Sequence, residues 1–390
     1  MKLCTGVVAV VLALAMTAGA QGRIEAPATI KIGGIFALTG PTSDVGVPYS
    51  EGVKAYVTYI NSRGGVKGRK IDFISQDYAY NVARGEQLYS QLKSSGVIAI
   101  QGWGTADTEA LRTRVNADRI PYMSASYAAT LINPSETPYN FFVAPSYSTQ
   151  MRIALRFIAE QTGGQQTEVA VFHHDSPFGQ SPLEDGKSFV QRKRLKLGYQ
   201  TYTMTGGATD YTALLTQAQR QGARWIIVQN VSTPAALLAR DIARQGLNMK
   251  IVCLNWCGDE IFVGLAGRAA AGHYTVQPWG TTGLKVPGLT APSAWLAARG
   301  KTLGKATVHF TQGWYTMAVM LKGVERVIAS GKSVNGPNLK AALESMPKFS
   351  TGGVTPDVKF TGRTHEGLHS SRIFQVIRGR FRQVTGYRIP

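Results

Sequence analysis

The chain has 390 residues, 44% of them hydrophobic and 17% charged, with 43 glycines spread along it and no repeat. That length predicts two lobes with separate cores, and the composition is that of a folded protein, excluding a disordered or fibrous one. Lys and Arg outnumber Asp and Glu 42 to 23, a formal net charge of +19, which could serve nucleic acid, an anionic membrane surface or an anionic ligand. Outside Arg192-Lys193-Arg194 and the tail from Arg372 to Arg388 the basic residues are scattered, without the interleaved aromatics that stack bases. No nucleic-acid role is expected, and the excess reads as a basic solvated surface.

Residues 1–20 read as a signal peptide: Lys2 is the positive end, Val7 to Ala15 the apolar run, and Ala18-Gly19-Ala20 the cleavage pattern. Cleavage near Ala20 and export are expected. The run is too short for a membrane span, no later stretch is long enough, and Cys4 lies too early to carry a lipid anchor. Cys253 and Cys257 could bridge, although their spacing in a strand-to-helix turn is awkward, and alone they are too few for a zinc site.

Ile30 to Phe36 reads as a buried strand ending at Thr39-Gly40-Pro41-Thr42, and Val53, Tyr56, Val57 and Ile60 mark a helix stopped by Gly64-Gly65. Strands at Ile71 to Ile74, Val97 to Ile100 and Ile120 to Met123 alternate with helices at Arg84 to Ser95 and Asp107 to Ala117. Such alternation implies a parallel sheet covered on both faces. After Phe142-Val143-Ala144-Pro145 the pattern restarts with a helix from Gln150 to Gln161. Strands follow at Val169 to Phe172, Thr201 to Met204, Trp225 to Val228 and Ile251 to Leu254, with helices at Tyr211 to Gln221 and Ala235 to Gln245. A Gly-, Pro- and Thr-rich stretch from Pro278 to Pro292 leads to a long helix over about Thr311 to Ser330, then short strands at Val358 to Phe360, Ile373 to Ile377 and Phe381 to Val384.

Ile32-Gly33-Gly34 running to Thr39-Gly40-Pro41, then Ile60-Asn61-Ser62-Arg63-Gly64-Gly65-Val66-Lys67-Gly68, Asp175-Ser176-Pro177-Phe178-Gly179, Asp210-Tyr211 and Gly272-His273-Tyr274 follow in a specific order. In that order the chain resembles the Leu/Ile/Val-binding class of type I periplasmic binding proteins, over nearly all of its length past the signal. The resemblance implies an α/β fold of two Rossmann-like lobes, each a mostly parallel sheet flanked by helices, joined by a hinge crossed three times. Residues 29–143 with 277–353 would form lobe 1, and 144–276 with 354–390 lobe 2. It implies a periplasmic, monomeric, non-enzymatic receptor without cofactor or metal, which hands a small organic solute to the permease and ATPase subunits of an ABC importer.

Ligands of such sheets sit beyond the carboxyl ends of the strands, where helix N-termini suit a carboxylate. By resemblance Thr105, Ser126 and Ala128 would hold that carboxylate, beside Trp103, Gly104 and Tyr127; Phe178 would close over the solute, with Asn230 in the facing loop. Each polar residue among them could equally be a helix cap or turn residue. Amino-acid binders of the family place an acid after a second-lobe strand to hold the ligand's ammonium, and here Trp256 falls there. An aromatic or other apolar acid is therefore favoured over an α-amino acid, unless Asp259 or Glu260 takes that place. Trp103 and Trp256 could instead be core residues. The alternatives are a branched-chain amino acid or amide binder, or a sensor with a signalling partner.

His365-Glu366-Gly367-Leu368-His369 matches the zinc-hydrolase pattern, but a glycine inside it and strands around it favour a surface turn, leaving an exported zinc hydrolase as the remote alternative. His173-His174 beside Asp175 lacks a nucleophile-elbow serine, and Gly102-Trp103-Gly104 lacks the third glycine of a dinucleotide fingerprint.

Overall fold

The computed structural model describes Met1 and residues 29–390; the expected signal peptide and Cys4 lie outside the described segment. Two sheets carry the fold. The first, ordered β2-β1-β3-β4-β5, is parallel throughout: β1 (Ile30–Phe36), β2 (Ile71–Asp77), β3 (Ile100–Gln101), β4 (Tyr122–Met123) and β5 (Asn140–Phe141). The second has the order β12-β11-β10-β9-β8-β6-β7. In it β6 (Thr167–His174), β7 (Leu197–Met204), β8 (Ala223–Gln229), β9 (Lys250–Cys253) and β10 (Tyr274–Gln277) run parallel, and β11 (Arg372–Ile377) and β12 (Arg380–Gln383) close one edge as an antiparallel hairpin.

Helices cover both faces. In the first half these are α1 (Ser43–Ser62), α2 (Val82–Ser94), α3 (Thr105–Asp118) and α11 (Leu303–Ala329); in the second, α4 (Tyr147–Gln161), α5 (Pro177–Gln180), α6 (Leu183–Arg192), α7 (Thr212–Arg220), α8 (Ser232–Arg244) and α9 (Glu260–Ala266). Two more, α10 (Thr290–Ala297) and α12 (Gly336–Glu344), flank α11. The chain passes to the second sheet after β5, returns after β10 to lay α11 against α1, and passes again to reach β11. Helices α1 and α11 touch backbone to backbone: a Cβ on Gly52 would lie 1.9 Å from the Phe310 carbonyl oxygen, and one on Gly313 2.0 Å from that of Tyr49.

Most expected elements are present with shifted ends. The alternating apolar run Val358 to Phe360 forms no strand, only a bridge from Val358 to Phe349, because Val354, Val358, Phe360 and Leu368 are buried in the first half's core. The long helix breaks at Thr307, whose φ of 69° is non-helical, and runs unbroken from Val308. Cys253 and Cys257 are free and buried.

Candidate functional site

Eight strand-end loops meet between the sheets. Asp77, at the end of β2, ties the first two together: Oδ1 accepts from the Leu38 N–H (2.9 Å) and Ala79 N–H (2.8 Å), and Oδ2 from the Thr39 hydroxyl (2.7 Å). Partial burial opposes its charge, but these bonds hold its carboxyl below the ordinary range. The tie fixes Ala79 and Tyr80 in left-handed conformations, φ 53° and 58°, a backbone cost of roughly 1–2 kcal/mol each that persists where surroundings enforce it. Tyr80 thereby points across to the second half, where its ring stands edge-on to His174 at 5.9 Å.

The third loop, after β3, carries Trp103 and Gly104 into the first residue of α3, Thr105. The Trp103 indole donates to the Thr42 hydroxyl (3.0 Å), and the Thr105 and Ser126 hydroxyls share a 2.8 Å bond. Beneath this loop Asp107 is fully buried; Tyr78 donates to its Oδ1 at 2.8 Å, while Oδ2 has no partner among the described residues. Burial raises its carboxyl to about 7. From the second half come Phe178 on α5, Val231 after β8 and Trp256 after β9, and from the crossing after β5 comes Tyr147.

These residues enclose a cavity lined by Thr42, Val45, Tyr80, Trp103, Gly104, Thr105, Ala125, Tyr147, Phe178, Val231 and Trp256, with no charged side chain in its wall. The free space is about 20 Å³, room for little more than one water. Admitting an organic solute requires the two halves to part or Trp256 to move. Trp256 is the keystone: its ring stacks on Tyr127 (5.6 Å, 16°) and His309 (5.1 Å, 21°), meets Trp103 edge-on at 5.0 Å, and its N–H donates to the Tyr147 hydroxyl at 3.1 Å.

Behind Trp256 a buried clamp joins the halves. The Asp259 Oδ2 accepts from the Ser232 hydroxyl and contacts His309 Nε2, both at 2.5 Å, while its Oδ1 caps α9 through the Phe262 N–H (2.8 Å). Glu260 accepts from the Val308 N–H (2.8 Å), where the unbroken part of α11 starts, and from the Thr282 N–H and hydroxyl. Burial works against a charged His309, but the Asp259 carboxylate outweighs it and the imidazole titrates above its ordinary value.

Of the expected site residues, Trp103, Gly104, Thr105, Phe178 and Trp256 line the cavity. Ser126 and Tyr127 touch it through Thr105 and Trp256. Ala128 is buried behind Ser126, its N–H 3.4 Å from the Ser126 hydroxyl. Asn230 faces a neighbouring groove, its carboxamide oxygen taken by the Val231 N–H. Asp259 and Glu260 are both spent on the clamp. Sequence reasoning missed Thr42, Val45, Tyr80, Ala125 and Tyr147, and reached Val231 only through the facing loop in which it named Asn230; Thr42 and Tyr80 follow strand ends, a signal that was available, whereas Tyr147 is the first residue of α4.

The segment 365–369 is extended, and it is not a surface turn. His365 is buried, its Nδ1 donating to the Asn140 carbonyl (2.7 Å) and its Nε2 lying 3.0 Å from Glu344 Oε1, and Glu366 accepts from the Ser146 N–H and the Thr149 hydroxyl across the crossing after β5. A buried side chain with these partners anchors that crossing. Among the described residues no cluster of three His, Cys, Asp or Glu could hold a metal.

A profile of the periplasmic binding protein family matches residues 29–380. The chain belongs to that family. As a periplasmic binding protein it is a non-enzymatic solute receptor of the ABC-transporter type, working outside the cytoplasm. It is 25% identical over 268 residues to Leu/Ile/Val-binding protein homolog 1 of Brucella abortus, covering 67% of this chain and 69% of that one. A branched-chain amino acid ABC transporter protein from Thermus thermophilus, solved with bound valine, superposes with a TM-score of 0.87 at 27% identity, over 92% of this chain and 96% of that one. A substrate-binding protein from Aeropyrum pernix gives 0.83 at 29% identity, over 93% and 96%.

Proposed function

We propose that this binding protein captures a small apolar or aromatic carboxylate, one without an α-ammonium group, by closure of its two halves, and delivers it to the permease and ATPase of an ABC importer. The observation that carries this is the cavity wall: aromatic rings and hydroxyls line it, and both acids that follow β9 are committed elsewhere. An ammonium buried against such a wall would lack a counter-charge, at a cost of several kcal/mol. A carboxylate suits the start of α3 at Thr105 and the Thr105–Ser126 hydroxyl pair. In this reading Trp103, Gly104, Thr105, Ser126, Tyr127 and Ala128 form the carboxylate side, and Phe178, Asn230 and Trp256 the closing side, of lobes divided near residues 143, 276 and 354. Closure follows from differential affinity, since a solute bound equally by open and closed forms shifts nothing.

A branched-chain amino acid is the second reading, favoured by the valine-bound Thermus relative. It needs an acid at the cleft, and Asp44, adjoining cavity residue Val45 and accepting from the Thr233 N–H at 2.8 Å, is the nearest candidate in sequence. Titration calorimetry with 4-methylpentanoate and 3-phenylpropanoate against leucine and phenylalanine separates the two: heat only from the acids lacking the amino group supports the first reading, and heat only from the amino acids overturns it.

A further inference from the structure

The basic tail lies at the free edge of the second sheet, far in sequence from the cleft loops. In the β11–β12 hairpin Val376 pairs with Phe381, and both pack into the second half's core. The alternate residues therefore turn the other way: Ile377 pairs with Arg380, and Gln375 with Arg382. Ile377 is 44% exposed and Val384, just past the strand, 45%; Tyr387 and Ile389 follow at 41% and 65%. Apart from Met1, only Val47 and Leu265 among the described residues are comparably exposed large apolar side chains, so this one edge concentrates them.

Charge concentrates there too. Arg378, Arg380 and Arg382 are exposed and make no ion pair among the described residues, whereas Arg388 is neutralised by Glu160. No Asp or Glu follows Glu366 in the chain. Basic side chains alone would be an ordinary guard against edge-to-edge pairing. Exposed Ile, Val and Tyr beside them defeat that purpose, and arginine with interleaved apolar side chains is the chemistry that seats on an anionic lipid surface.

We propose that the β11–β12 hairpin and the final residues form a weak docking surface for an anionic phospholipid bilayer, arginines on the headgroups and Ile377, Val384 and Ile389 at the acyl boundary. Such docking would hold the receptor close to the membrane that carries its transporter. Three arginines, each contributing roughly fivefold on an anionic surface, give roughly a hundredfold preference over a neutral one.

The test is sedimentation of the purified protein with phosphatidylglycerol–phosphatidylcholine vesicles and with pure phosphatidylcholine vesicles. Co-sedimentation with the anionic vesicles alone is expected. Charge reversal at Arg378, Arg380 and Arg382 to Glu, or their neutralisation to Gln should the reversal disturb folding, lowers partitioning by about tenfold or more. The same changes at Arg192, Lys193 and Arg194, an exposed basic run elsewhere, leave most of it. I377S with V384S weakens the binding that survives raised salt. Equal losses from the two basic triplets would show diffuse attraction and overturn the proposal. So would indifference to phosphatidylglycerol, self-association abolished by the hairpin variants, or binding that appears only with an acidic protein present.

Discussion

Replacing Asp107 by Asn should stabilise the protein above neutral pH and change nothing in strong acid. The carboxyl is fully buried, one oxygen bonded to Tyr78 and the other without a partner among the described residues, and burial raises its pKa from 3.8 to about 7. A folded-state pKa above the unfolded value means that the fold prefers the protonated acid. Its contribution is therefore intact below about pH 4 and is lost as pH rises through about 7. At about 1.36 kcal/mol per unit the full loss approaches about 4 kcal/mol, of which about 2.7 falls between pH 5 and pH 8. The amide keeps the acceptor for Tyr78 and carries no charge to desolvate. Urea melts of parent and variant at pH 5 and pH 8 measure the difference: the gap should widen in favour of D107N by about 2–3 kcal/mol at the higher pH. A gap that is constant with pH, or a variant less stable at pH 8, would mean that burial does not hold the Asp107 carboxyl protonated.

Removing His309 (H309L) leaves Asp259 buried without its cation and should cost about 3–5 kcal/mol. Because the folded-state pKa of His309 is raised, that contribution is complete below about 6.5 and fades as pH climbs through the folded value, so the penalty in urea melts should shrink at alkaline pH. G52A drives a Cβ into the Phe310 carbonyl and should cost about 3 kcal/mol, seen as a lower denaturation midpoint at unchanged slope. F178A removes a ring that closes the cavity and meets Tyr147 edge-on at 5.4 Å; calorimetry on the folded variant should show roughly ten- to hundredfold weaker solute binding.

The alternation of apolar runs made both sheets legible, because parallel strands buried on two faces read as continuous hydrophobic segments. Three short elements were not legible: β5 is two residues long with no apolar run before it, and α5 and α9 have no room for a periodic face. The tail misled for a different reason. Val358 to Phe360 alternates like a strand, yet its apolar side chains serve the first half's core before the chain joins the second sheet at Arg372. In the site, strand-end position, a local property, pointed to Trp103, Gly104 and Thr105, while the family resemblance added Phe178 and Trp256. Tyr147 and the Asp259–His309 clamp depend on residues about 50 to 110 positions apart, which no window of sequence contains. The zinc-like motif shows the converse: His365 and Glu366 look catalytic in one dimension and are crossing anchors in three.

On the proposed reading, an aromatic, acid-free cleft selects a carboxylate and rejects an ammonium. Titration calorimetry of the purified protein with 4-methylpentanoate and leucine, identical but for the amino group, tests it most directly. Saturable binding of 4-methylpentanoate and none of leucine is expected. Tighter binding of leucine would contradict it, and would mean that Asp44 or the clamp acids turn toward the cleft when solute arrives.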